Sequence, residues 1–283
     1  MRQKLSERPW LIFMVLACGY SWTLWGLMMA SAQGWLPFHF PTNFLGSFGP
    51  SLAGLVMAVR EKGARALLRS VVRWRFPGRW YAVACLGPPL LMAAALGLGV
   101  LFGQSLPAPA NLDKAPLLPL LFLVILVLGG PLGEELGWRG YLLPELLKRQ
   151  GPLKASLWVA AAWFLWHVPL FWLEGSAQKG GSILFFAASV AAFSVLFTWV
   201  YLGTGRSLLA VLLAHTMVNL PSFCLSHVFP GEADSGLSSG LLTGLLLLAA
   251  AAVVWAKWPG VNATDGGGLR GGGEATPPIE PCS

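Results

Sequence analysis

Charge is what this chain has least of. Asp, Glu, Lys and Arg make up 11% of its 283 residues, where a soluble domain carries roughly 25%. With 55% hydrophobic residues and a mean hydropathy of +0.65, it cannot clothe its surface in polar groups. That excludes water as its principal solvent and leaves lipid. Cysteine is scarce as well. Cys18, Cys85, Cys224 and Cys282 form no C-x-x-C pair, which argues against a thiolate metal site or a disulfide framework. Cys282 is penultimate, so the C-terminus does not read as a C-a-a-X box. There is no internal repeat. There is also no H-E-x-x-H, so no local pair of zinc ligands is prearranged on one helix. The pI near 9.5 suggests nucleic acid only until the charges are placed. Nearly all basic residues fall in segments on one side of the apolar runs, and no nucleic-acid partner is expected.

What is present is a series of apolar runs, each near the roughly 20 residues that cross a bilayer. Eight are expected, at 10–32, 43–60, 80–103, 115–133, 155–173, 182–203, 207–226 and 237–257. The fold class is therefore all-α, a polytopic membrane protein of about eight helices. The first run has a basic flank (Arg2, Lys4, Arg8) and is too long for a cleaved signal peptide. The seventh is short, ends at Pro221 and carries His215 and Asn219, as cavity-lining spans often do. Lys and Arg gather on the cytoplasmic side of membrane proteins. With both termini inside, that side holds Arg60, Lys62, Arg65, Arg69, Arg73, Arg75, Arg79, Arg139, Lys148, Arg149, Lys154, Arg206 and Lys257, and the other side only Lys114 and Lys179. A multi-pass protein of the cell membrane, bacterial plasma membrane by preference, follows.

The basic segment 60–79 interleaves its charges with Leu67, Leu68, Val71, Val72 and Trp74. Over 61–76 it can lie as an amphipathic helix on anionic inner-leaflet lipid. From 260 to 283 the chain is Gly- and Pro-rich with small polar residues, a composition that cannot offset its ordering entropy. The expected division is a membrane domain over 1–259, with its motif core at 115–225, and a disordered cytoplasmic tail.

Polar groups inside the apolar runs are few, and ionisable groups there mark functional sites. Glu134 and Glu135 sit at the end of the fourth run. Arg139 follows Glu135 by four residues, so the two share a helix face in the favourable order, while Glu134 points about 100° away around the helix. Glu135 can thus pair with Arg139 and leave Glu134 free to take a proton. Gly129-Gly130-Pro131 lets the helix bend or restart just before them. His167 lies in the fifth run, one turn after Trp163. His215 and Asn219 are four apart in the seventh and point one way. Each alone has an ordinary structural reading: a solvated acidic pair, a core histidine, an interhelical polar contact. Together, an acid, two imidazoles and an amide converge from three runs.

The order and spacing of these residues resemble the CPBP family, the CAAX protease and bacteriocin-processing (Abi) group of intramembrane proteases, which includes the type 2 CAAX prenyl endopeptidases. Its motifs are E-E-x-x-x-R, F-x-x-x-H and H-x-x-x-N/D. Glu134-Glu135 with Arg139 matches the first, and His215 with Asn219 the third. In the second, His167 matches but Trp163 stands where Phe is usual. The resemblance implies an endopeptidase that hydrolyses a peptide bond near the cytoplasmic side. Glu134 would be the general base, His167 would help hold the water, and His215 and Asn219 would stabilise the oxyanion. Glu135 and Arg139 would brace the site, and Trp138, Trp163 and Trp166 would wall the cavity. The substrate implied is a prenylated C-a-a-X sequence or another lipidated or small peptide. A metal-free, glutamate-type mechanism is favoured, with zinc held by Glu134, His167 and His215 as the alternative. A non-enzymatic role, as a bacteriocin self-immunity factor or scaffold, is the competing class.

Overall fold

The computed structural model describes residues 9–37, 44–105, 112–227 and 235–258, and the expected tail at 260–283 lies outside them. Everything regular within the described residues is helical. In chain order the helices are α1 (Pro9–Ala32), a 3₁₀ turn (Phe44–Phe48) leading into α2 (Gly49–Arg60), α3 (Ala64–Val71), α4 (Arg79–Leu101), α5 (Leu118–Leu128) and α6 (Pro131–Gly137). A π turn (Trp138–Leu142) joins α6 to α7 (Leu143–Leu147), followed by α8 (Pro152–His167), α9 (Ile183–Gly203), α10 (Leu208–His227) and α11 (Ser235–Trp255).

Each of the eight apolar runs coincides with a helical stretch. Among the described residues five are long and apolar enough to cross a membrane: Pro9–Ala32, Arg79–Leu101, Asp113–Leu147, Ile183–Gly203 and Gly236–Trp255. Phe44–Arg60 and Leu208–Cys224 are apolar but shorter, and α8 has 16 residues. These short helices bury much of their surface against protein, where a broken helix is tolerated because neighbours satisfy its backbone. The chain is a multi-pass membrane protein.

Two runs differ from expectation in form. The fourth does not end at 133. It breaks at Gly129-Gly130, restarts at Pro131 and continues to Leu147. Gly130 makes the break possible by adopting φ +110°, open to glycine and strained for other residues, and Pro131 suits a first helical position because it has no N–H to lose. Glu134 and Glu135 therefore sit in a restarted helix, inside the protein, rather than at a helix end in water. The fifth run stops being α-helical at His167 and tightens into a 3₁₀ turn, Val168–Phe171; Pro169 cannot supply the next helical N–H.

α6 is held by close backbone approach. A Cβ on Gly137 would lie 2.2 Å from the Pro50 carbonyl oxygen, and one on Gly54 would lie 2.8 Å from the Gly137 Cα. Gly133 and Gly137 form a small-xxx-small pair, the pattern that lets membrane helices touch along their backbones. Around this seam α2 packs on α1 and α6, α9 on α8 and α11, and α10 on α4. Phe13, Trp25, Trp80, Trp138 and Trp166 fill the core, while Leu90, Leu101, Leu120, Leu184 and Leu248 face outward. The amphipathic segment is shorter than 61–76. Its helix spans Ala64–Val71 with Leu67 buried. Beyond it Arg73 Nη1 donates to the Gly205 carbonyl (2.8 Å) and Ser207 Oγ to the Arg73 carbonyl (2.6 Å), tying the chain to the α9–α10 turn.

Candidate active site

The break before α6 determines what the two glutamates meet. Glu134 is buried. Its Oε2 accepts a hydrogen bond of 2.5 Å from the Trp163 indole N–H. Its Oε1 lies over Gly130, close enough that a Cβ there would come within 2.6 Å. A side chain at this position would push that carboxylate oxygen aside. Asn219 Nδ2 donates to the Gly129 carbonyl at 3.0 Å, so the backbone acceptor exposed by the break is satisfied from α10.

Glu135 is fully buried on the other side of the helix. Its Oε1 accepts from Arg139 Nη1 at 3.1 Å and from His215 Nδ1 at 2.7 Å. Arg139 is also fully buried. The guanidinium carbon lies 4.4 Å from the Trp163 ring centre and 5.1 Å from that of Phe197, and a desolvated cation on an aromatic face gains about 2 kcal/mol. Arg139 Nε and Nη2 have no hydrogen-bond partner among the described residues, and the aromatic faces lie against the guanidinium there.

The hydrogen bonds also orient both imidazoles. His167 Nδ1 is 2.9 Å from the Trp163 carbonyl. A carbonyl only accepts, so Nδ1 carries the hydrogen and the lone pair of the neutral ring is at Nε2. His215 Nδ1 donates to Glu135, and its ring stands edge-on to Trp163 with centres 5.5 Å apart. Trp166, at the root of the site, donates from Nε1 to Ser21 Oγ (2.7 Å) and so clamps α8 to α1.

A cavity of about 910 Å³ brings these groups together. Glu134, Trp163, Trp166, His167, His215 and Asn219 all line it, and Glu135 and Arg139 stand behind the wall. Trp138, expected in the wall, is not there. It is fully buried, edge-on to Phe13 at 5.5 Å and to Trp166 at 6.0 Å. One turn beyond Glu134 moves a side chain about 6 Å along the axis, past the cavity floor and into the core. Walls that the motifs do not signal come from outside the motif core and from a loop: Trp25, Ser47 and Gln178. A tryptophan in an early span is the one signal for Trp25; Ser47 and Gln178 have none.

A catalytic zinc would need three of these donors around one point. Among the described residues no three His, Cys, Asp or Glu side chains come together closely enough to hold a metal ion. Glu134, His167 and His215 line one cavity, and one Glu134 oxygen is engaged by Trp163. As arranged here, those residues do not form a three-ligand zinc site.

Comparison with known proteins agrees with the motif reading. Residues 116–221 match the family described as type II CAAX prenyl endopeptidase Rce1-like. Over 181 residues the chain is 30% identical to CAAX prenyl protease 2 of Methanococcus maripaludis, an alignment covering 58% of this chain and 62% of that protein. The chain thus aligns with somewhat less than two thirds of that relative's length. The resemblance to the prenyl endopeptidases is borne out over the stretch that holds Glu134, His167, His215 and Asn219.

Proposed function

We propose that the protein is an intramembrane endopeptidase of the glutamate type, cleaving a peptide bond in a C-terminal prenylated C-a-a-X sequence presented from the cytoplasmic side. The observation that carries this reading is one arrangement. Glu134, His167, His215 and Asn219, from three helices, line a single cavity, while Glu135 and Arg139 are sealed behind it. The name of the archaeal relative and the matched family support the substrate class.

The chemistry follows from the hydrogen bonds. Glu134 accepts the proton of a water held between its free oxygen and the His167 Nε2 lone pair. The resulting hydroxide attacks the carbonyl carbon. The new oxyanion is met by His215 Nε2–H and by the second N–H of Asn219, donors of the kind that stabilise tetrahedral intermediates. Since the His215 Nδ1 hydrogen is committed to Glu135, this role uses the imidazolium. Charge then balances throughout. Two carboxylates face Arg139 and the imidazolium before reaction, and the proton gained by Glu134 is offset by the oxyanion. Collapse of the intermediate breaks the C–N bond, and Glu134 returns its proton to the departing amine. Trp163 adds what a phenylalanine cannot, an N–H that fixes one oxygen of the base and leaves the other facing the water.

The test is cleavage of a quenched farnesylated C-a-a-X peptide by the purified protein in nanodiscs, with Glu134→Ala and His215→Ala beside the wild type, each with and without a zinc chelator. Cleavage by the wild type alone, unaffected by the chelator, is expected. Chelator-sensitive cleavage would overturn the glutamate-type reading. Wild-type protein that leaves the farnesylated peptide intact would overturn the substrate class.

A further inference from the structure

α8 also borders a second concave surface. Opposite the side that carries Trp163 and His167, it borders a groove of about 470 Å³, within the roughly 300–1,000 Å³ of ligand sites. Trp10 and Met14 of α1, Leu146 of α7, and Trp158, Ala162 and Leu165 of α8 form its walls, and Glu145, Arg149 and Gln150 close one end. There the groove runs into a shallow basin formed by Arg149, Gln150, Gly151, Pro152, Lys154 and Trp258. Arg149 and Gln150 belong to both.

The two parts differ in chemistry. The groove is apolar along its length, with Trp158 and Leu165 exposed at its margin. The basin is cationic. Glu145, the one carboxylate among the described residues that line either part, is paired with Lys148. Arg149 and Lys154 are exposed and have no carboxylate partner among the described residues. The basin lies in the loop between the long stretch ending at Leu147 and the start of α8. That is where an apolar span meets the headgroup layer, a level favoured by indoles such as Trp10 and Trp158. A groove for hydrocarbon that ends in two unpaired cations at headgroup depth matches one molecule, an amphiphile with an anionic head.

We infer that this groove and its basic end hold a single anionic phospholipid, the acyl chain along Trp10, Met14, Trp158 and Leu165 and the phosphate between Arg149 and Lys154. A lipid is favoured over the prenyl chain of a substrate because no residue lines both this groove and the catalytic cavity. A chain seated here would have α8 between it and Glu134. The inference does not depend on the proposed proteolysis.

The experiment is native mass spectrometry of the delipidated full-length protein in detergent, titrated with phosphatidylglycerol or with phosphatidylcholine of the same acyl chains. The wild type is expected to retain one phosphatidylglycerol at about tenfold lower concentration than phosphatidylcholine, since each basic group near an anionic headgroup contributes appreciably. The double variant Arg149→Gln, Lys154→Gln should erase the preference. Ala162→Trp should reduce retention of both lipids, and Ala161→Leu serves in its place should the lipid-free melting temperature of the tryptophan variant fall. Equal retention of the two lipids by the wild type would overturn the inference, as would an undiminished preference in the double variant. Displacement of the phosphatidylglycerol, one for one, by a farnesylated peptide would assign the groove to substrate instead.

Discussion

The two faces of α6 hold adjacent carboxylates in opposite circumstances. On one, Glu134 looks into a cavity of about 910 Å³ with one oxygen tethered by Trp163 and the other unencumbered. On the other, Glu135 is fully buried against Arg139 and His215 and does not line the cavity, while His215 does. The same side chain type thus serves chemistry in one place and architecture in the next. What separates them is the angle between consecutive helical residues and the bend at Gly130 that aims it. A change on the cavity face should alter turnover and spare the fold, whereas a change on the sealed face should cost the fold its stability.

The largest effect should come from the sealed face. Arg139→Leu leaves Glu135 buried beside only His215, and breaking a buried pair on one side costs about 3–5 kcal/mol; thermal unfolding in detergent should show it as a large fall in melting temperature. On the cavity face, Trp163→Phe keeps an aromatic ring beside Arg139 and removes the N–H on Glu134 together with part of the indole's volume. Hydrogen bonds to charged groups contribute about 1.5–3 kcal/mol, so kcat should fall by about one to two orders of magnitude with KM nearly constant. If KM rises instead, Trp163 shapes the cavity rather than positioning the base. Along the seam, Gly137→Ala drives a methyl into the Pro50 carbonyl. Overpacking of this kind costs about 1–3 kcal/mol, readable as a lower melting temperature. The smallest effect belongs to Gly19, where an added Cβ meets nothing within 4 Å. Gly19→Ala should change stability by less than about 0.5 kcal/mol.

That last pair of glycines shows where the sequence stops being readable. Apolar length and charge placement announce the eight helical stretches, and the spacing of Glu135 to Arg139, Trp163 to His167 and His215 to Asn219 announces which groups share a face. Gly19 and Gly137 look alike in the sequence, yet only one marks a helix crossing, because close backbone approach depends on a partner 87 residues away in the case of Pro50 and Gly137. The break at Gly129-Gly130-Pro131 was legible as a bend. Its consequence, a helix that restarts with the acidic pair inside the protein, required the packing of α2. Trp138 was misplaced because helical spacing gives the face and not the depth. Trp163 stood out as a departure from the family motif, but its hydrogen bond to Glu134 depends on how α8 docks against α6.

The measurement that bears most directly on the difference between the two faces is a paired one. Glu134→Gln and Glu135→Gln, purified side by side, would each be assayed for cleavage of the farnesylated peptide and for thermal unfolding. Glu134→Gln should melt like the wild type and lose about 10²–10⁴-fold in kcat, the span expected for a general base, whereas Glu135→Gln should melt well below it as the Arg139 cation loses its counter-charge. Turnover surviving in Glu134→Gln, or the two variants melting alike, would contradict the assignment of chemistry to one face of α6 and architecture to the other.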